Sequence, residues 1–365
     1  MGNLRAKKKT ALFLLLAAIL VLVILLYVNS RTAQTSSFIM EGKEKLSVAG
    51  AVAAVSNNSS LIYCVKDLLV EAQGSNLRVK NIKGNVTWSQ RLPGKIMKLA
   101  EAGESIIIID SLNNINYYSL QGKLLWTYKA PYEVIDIFTE DNGSFLVEYK
   151  GMTGSIAEVF TQSGSKAGNI SVENAHVLSF SVGSSAFSIS VLDTSAEAIK
   201  TKIITYNFKG DILWAQNFDN KIISNLKYSK NNKLLAMGEN AVYIFKNDGS
   251  LQEETKIKGK ISNVAMGDYI VTIALQDKGK HYSICYDANM RELSRVEINA
   301  APLGLYPMKS SLIVYYNDEL MVLTVKGELI ARFKSNTDIN RVYMTSDDKL
   351  YIVSNRTLQQ LEYNQ

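Results

Sequence analysis

Cysteine is almost missing from this chain: Cys64 and Cys285 are the two in 365 residues. That supply cannot form the disulfide framework of a small secreted domain. With no cysteine before Cys64, a lipid-modified N-terminal cysteine is excluded as an anchor. Histidine is equally scarce. His176 and His281 lie far apart in sequence, without partners at the spacing that zinc ligation or nucleophile activation needs. Both read as ordinary strand or loop residues. A basic stripe is missing as well. The formal charge is +6, but Arg5, Lys7, Lys8 and Lys9 supply four positive charges before residue 10, with no acid among them. The rest of the chain carries 36 basic and 34 acidic groups, too even a balance to track a phosphate backbone. Nucleic acid is therefore not an expected partner.

The N-terminal charge has a local explanation. Residues 10–30, TALFLLLAAILVLVILLYVNS, form 21 consecutive positions without a charge. As a helix they would span roughly 32 Å, enough to cross a bilayer core. Basic residues on the near flank, and only Arg31 just beyond, orient such a helix with its N-terminus in the cytoplasm. Val28-Asn29-Ser30 is a poor cleavage site, so the helix reads as an uncleaved single-pass anchor. The expected organisation is a cytoplasmic tail over 1–9, a transmembrane helix over 10–30, a linker over 31–43 and an extracytoplasmic domain over 44–365.

Within that domain a pattern repeats. Residues 84–88 read GNVTW, 122–126 GKLLW and 210–214 GDILW. Residues 68–88 and 106–126 align over 21 positions at an offset of 38. Each begins with a short apolar run, continues through a turn and an alternating segment, then reaches Gly and Trp. Short apolar runs bounded by turn residues read as strands buried on both faces. The glycine recurs at 84, 122, 164, 210, 249 and 327, with a degraded copy near Asn289-Met290, giving a mean period of 40.5 residues. A period near 40 with four strand-like pieces predicts an all-β propeller. Each glycine is expected to take a left-handed turn into the fourth strand. The tryptophans Trp88, Trp126 and Trp214 are expected at seams between blades, with the indole N–H on a carbonyl. Phe333 takes a nearby place in the last clear copy.

The chain ends where the fourth strand of its last unit should begin. An open edge there would invite pairing with other chains. The unassigned apolar stretch 44–56, EKLSVAGAVAAVS, is expected to fill it by pairing with the C-terminal strands. Seven copies plus this composite predict eight blades, with seven as the alternative count.

The Gly-x-x-x-Trp fourth strand with this period resembles the PQQ-like repeat of quinoprotein-type eight-bladed propellers, over about 320 residues. That family includes quinone-dependent dehydrogenases and a non-catalytic lipoprotein that helps assemble outer-membrane barrels. The chain also resembles bacterial proteins with one N-terminal membrane helix and such a propeller outside. For an enzyme, the resemblance implies calcium, a catalytic base and usually a vicinal cysteine pair. Adjacent cysteines are absent, and no calcium or base residue can be matched by motif. The expectation is a chain without cofactor, metal or catalytic residues, acting as a protein-binding scaffold in the cell envelope. The alternatives are a quinone-dependent dehydrogenase and a sensor of a small envelope ligand such as a glycan.

Proline occurs four times. Pro93, Pro131 and Pro302 fall where the fourth strand of one unit passes to the first of the next. Such connections ring one face of a propeller. The proline can simply stiffen each crossing; in the alternative reading, rigid loops there suit a partner. Tyr132, Glu133, Lys260, Tyr306 and Asp338 are the candidate contact residues, tyrosine being a common interface anchor.

Overall fold

The computed structural model describes residues 44–54, 61–152, 154–195, 197–344 and 349–364. The tail, anchor and linker read from the sequence lie outside them. Every regular element among the described residues is a β-strand. None of them forms a helix long and apolar enough to cross a membrane.

Strands follow from composition. Runs such as Ser105–Asp110, Leu234–Gly238 and Leu350–Ser354 are rich in Ile, Val and Leu and are buried on both sides. The first two are each the second strand of a four-stranded antiparallel sheet. Six such sheets span 61–91, 96–129, 134–173, 175–219, 223–256 and 260–298. These are blades one to six. Residues 304–334 form blade seven and residues 339–364 the first three strands of blade eight.

The strand Glu44–Ala54 supplies what blade eight lacks. It runs antiparallel to Thr357–Asn364, with Lys45 opposite Asn364 and Ala54 opposite Thr357. Its start also runs parallel to the outer strand of blade seven, with Glu44 opposite Ala331. The last two blades thereby become one eight-stranded sheet. The count is eight, and the seven-blade alternative falls away.

The first strand of each blade lies innermost, next to the first strands of neighbouring blades, and the fourth lies outermost and largely exposed. Core clusters straddle the seams. Val70 and Leu77 of blade one pack with Ile106 and Tyr118 of blade two. Leu235 and Ile244 of blade five pack with Ile273 and Ile284 of blade six. Stability is therefore built from nearest-neighbour interfaces, as in repeat proteins generally.

The glycine–tryptophan spacing has two causes. Gly84, Gly122, Gly164, Gly210, Gly249 and Gly327 all have φ between 81° and 90° and close the turn into the fourth strand. Met290, with φ 57°, takes that place in blade six. One extra residue then bulges out of the ladder between the second and fourth positions after the glycine, as at Leu125 and Leu213. The bulge re-aims the fourth residue toward the next blade.

There the tryptophan lies on the next blade's turn glycine. A Cβ on Gly122 would sit 2.6 Å from the Trp88 ring, and one on Gly249 would sit 2.5 Å from Trp214. Gly164 meets Trp126 in the same way. The indole N–H of Trp88 donates to Leu120 O at 2.8 Å and that of Trp126 to Gln162 O at 3.2 Å. Trp214 departs from this expectation: its buried Nε1 has no partner among the described residues. Where the tryptophan is missing the seam adjusts. Gly168 stands in its place in blade three, against Gly210, and Ser294 in blade six, against Gly327.

Candidate binding faces

The connections from fourth to first strands lie on one face with the turns between second and third strands. Their backbones are fixed from below. Asp110, buried at the base of one turn, accepts from Leu112 N at 3.0 Å, Asn114 N at 3.0 Å and Asn114 Nδ2 at 2.9 Å. Lys95 N donates to Ser111 Oγ at 3.0 Å, tying the Pro93 connection to that turn. Lys129 reaches Leu112 O. In the last connection Ser335 Oγ donates to Thr337 O at 2.6 Å, and Ser335 N donates to Asp318 O at 2.7 Å.

Pro93, Pro131 and Pro302 all stand in these connections. Tyr132 is 47% exposed, and Leu303, beside Pro302, is 53% exposed. Met97 and Leu112 are also exposed near the Pro93 connection. Glu133 is exposed and within 3.9 Å of Lys150. Asp338 is exposed in the connection to blade eight.

Two candidates stand elsewhere than the sequence placed them. Lys260 opens the inner strand Lys260–Met266, and Tyr306 lies inside the inner strand Gly304–Pro307. Blade seven's inner strand begins within the stretch taken as connection. Tyr306 therefore belongs with the groups of the inner strands and not with Tyr132.

Those inner groups escaped the sequence reading. In six blades the inner strand bulges within its first four residues, and a polar side chain follows. These residues are Lys98, Asp136, Ser179, Asn225, Asn263 and Arg341. Five of them tie adjacent blades, Ser179 by accepting from Leu226 N at 2.9 Å. Lys98 lies 3.4 Å from Asp136, and Asn263 Nδ2 donates to Leu303 O at 3.1 Å. Arg341 donates to Ile62 O at 2.9 Å.

At the far ends of the inner strands, Lys227 meets three acids: Glu140 at 3.1 Å, Asp268 at 3.6 Å and Asp141 at 4.0 Å. Glu140 also accepts from Val182 N, so blades three, four and five meet there. Nearby, burial pushes the Glu101 carboxyl up to about 7; Lys66 opposes the rise and Asp141 adds to it. Burial likewise raises the hydroxyls of Tyr63 and Tyr306, and the Glu101 charge raises both further.

The two cysteines are free, Cys64 in blade one and Cys285 in blade six. Burial pushes the Cys64 thiol up to about 12 and the Cys285 thiol up to about 11, away from thiolate chemistry. His176 lies between Ser155 Oγ at 3.1 Å and the buried Glu148 at 3.3 Å, in a seam. His281 is in the third strand of blade six.

A calcium-bound quinone would need several converging oxygen donors. The connections bring Glu133 and Asp338, which stand in the second-to-third and seventh-to-eighth passages. Among the described residues no group of three or more His, Cys, Asp or Glu is set to hold a metal. The donor set does not fit that cofactor.

Fold and surface thus define an eight-bladed β-propeller with stiffened, partly apolar connections on one face. The chain belongs to the family of unknown function DUF5711, whose model matches residues 39–362. No curated protein matches it. Among solved structures it is similar to Sqt1 of Saccharomyces cerevisiae, at 10% identity and TM-score 0.59, covering 88% of this chain and 99% of that one. It is also similar to the computationally designed Ika8, at 12% identity and TM-score 0.62, covering 87% and 98%. BamB from Moraxella catarrhalis matches at 11% identity and TM-score 0.54, covering 88% and 100%. At these identities the likeness is one of fold.

Proposed function

We propose that the chain is a non-catalytic binding module, tethered to the cell membrane by residues 10–30 and holding a protein partner outside the cytoplasm. The observation that carries this reading is the connection face. Its backbone is held by side-chain caps and three prolines, while Tyr132, Leu303, Met97 and Leu112 stay exposed. Rigid loops lose little entropy on binding, and exposed aromatic and aliphatic side chains on such loops make good anchors. The resemblance to PQQ-like propellers with assembly roles supports the same reading. The test is affinity capture from the native membrane. Tyr132→Ala combined with Leu303→Asp should lose the partner at an unchanged melting temperature. Capture equal to wild type would refute this face.

A second reading, a receptor for a small solute at the axis, is favoured by one observation. The Glu101 charge acts on both Tyr63 and Tyr306 of the inner strands, and Asp141, in the turn after one of them, acts on Glu101 and Tyr306.

A further inference from the structure

A cleft of about 450 Å³ opens at the seam of blades one and two, away from the connection face. That volume suits a small molecule. It lies between the first turn of blade one, Lys66-Asp67, and the turn Leu120-Gln121 of blade two, and Leu68, Thr87 and Trp88 complete it. The Trp88 indole is fixed by its bond to Leu120 O and by stacking near Tyr118 at 5.9 Å, yet it stays half-exposed. It is a preset apolar platform. Asp67 brings a feature the fold does not use: its Oδ1 is shut from solvent and has no hydrogen-bond partner among the described residues. An acceptor left unmet is costly. The carboxylate that carries it lines the cleft, so a ligand donor can reach the group from that side.

The remaining chemistry narrows the ligand. Lys66 and Asp67 give the lining one charge of each sign, so neither an anion nor a cation is favoured overall. Gln121 and Thr87 offer neutral hydrogen-bonding groups, and Leu68 and Leu120 extend the apolar floor. The other tryptophan seams lack this set. The matching turn is Gly103-Glu104 beside Trp126, and it begins at Gly183 beside Trp214. Lys66 holds a left-handed φ of 51° where blade two has Gly103 at 58°.

We propose that this cleft is a saccharide subsite, taking an uncharged hexopyranose with its C–H face on Trp88 and its hydroxyls donating to Asp67. Flat aromatic rings and sparse, directed polar groups suit a ligand with one apolar face and a rim of donors.

The test uses the full chain labelled with 5-fluorotryptophan, which gives one fluorine resonance for each of its 3 tryptophans. Trp88→Phe assigns the resonance of interest. Maltose and N,N′-diacetylchitobiose are the probes. The Trp88 resonance should move with sugar while those of Trp126 and Trp214 stay still. Asp67→Asn, which keeps shape and packing, should weaken the effect by about ten- to a hundredfold, the loss of a charge-assisted bond. Glu104→Gln in the next blade should change nothing. The proposal is overturned if neither sugar moves the Trp88 resonance, if all three resonances move alike, or if Asp67→Asn binds as wild type. A response to inorganic phosphate in place of sugar would overturn the charge argument.

Discussion

Glycine 249 shows how much one hydrogen can carry. Its φ of 81° disfavours any side chain, and a Cβ would also lie 2.5 Å from the Trp214 ring. Gly74 has φ 57° but open space around it. Gly74→Ala should therefore cost about 1 kcal/mol, the backbone term alone. Gly249→Ala should cost about 2–4 kcal/mol, because overpacking adds to it. Chemical denaturation of the two variants checks the difference, and equal costs would mean the ring yields freely. Trp126 stacks on Tyr117 at 4.8 Å and 6° but is half-exposed. Trp126→Ala should cost about 2–3 kcal/mol, less than a fully buried aromatic. Glu101 adds a pH dependence. Its folded pKa, about 7, lies above its ordinary value of 4.5, so the folded state binds the proton more tightly. The contribution is present in full below the unfolded pKa and is lost as pH rises through about 7. Wild type should lose up to about 3 kcal/mol relative to Glu101→Gln between pH 4.5 and 8, less where solvent screens the carboxyl. Parallel pH–stability curves for the two proteins would contradict this.

At the scale of strands, legibility depended on whether a residue's role is local. The turn glycines could be read because a left-handed φ is a demand of the turn itself. What each tryptophan touches could not be read from one unit, since its partner is the glycine of the next. The inner-strand bulges hid for another reason. An extra residue breaks the alternation by which strands are recognised, so nothing in the sequence sets Lys98, Asp136 and Arg341 apart. Tyr306 was assigned to a connection because Pro302 and Gly304 read as loop, although Gly304 is buried against Tyr315 at the start of a strand. The serines of 179–190 were equally opaque. Ser179 and Ser181 accept from Leu226 N and Tyr228 N, each at 2.9 Å, so they do for blades four and five what a ladder does within a sheet. Ser181→Ala should cost about 1–3 kcal/mol by leaving a buried N–H unmet. A melting curve like that of wild type would show that water replaces the hydroxyl.

For the whole molecule, the first and last described strands meet in one blade. Leu46 of the closing strand is buried with Ile313, Phe333, Leu350 and Leu361. It belongs to the seam of blades seven and eight as fully as any residue of the repeats. The architecture was legible because a forty-residue period repeats its signal. A binding surface has no such redundancy: Tyr132 and Leu303 each occur once, and only the ring brings their connections onto one face. That face is the account's central claim. The most direct measurement is photocrosslinking in living cells, with p-benzoylphenylalanine at position 132 and, separately, at Gln252 on the exposed outer strand of blade five. The account predicts a discrete crosslinked protein from position 132 and none from position 252. The same adduct from both positions, or an adduct from 252 alone, would contradict it.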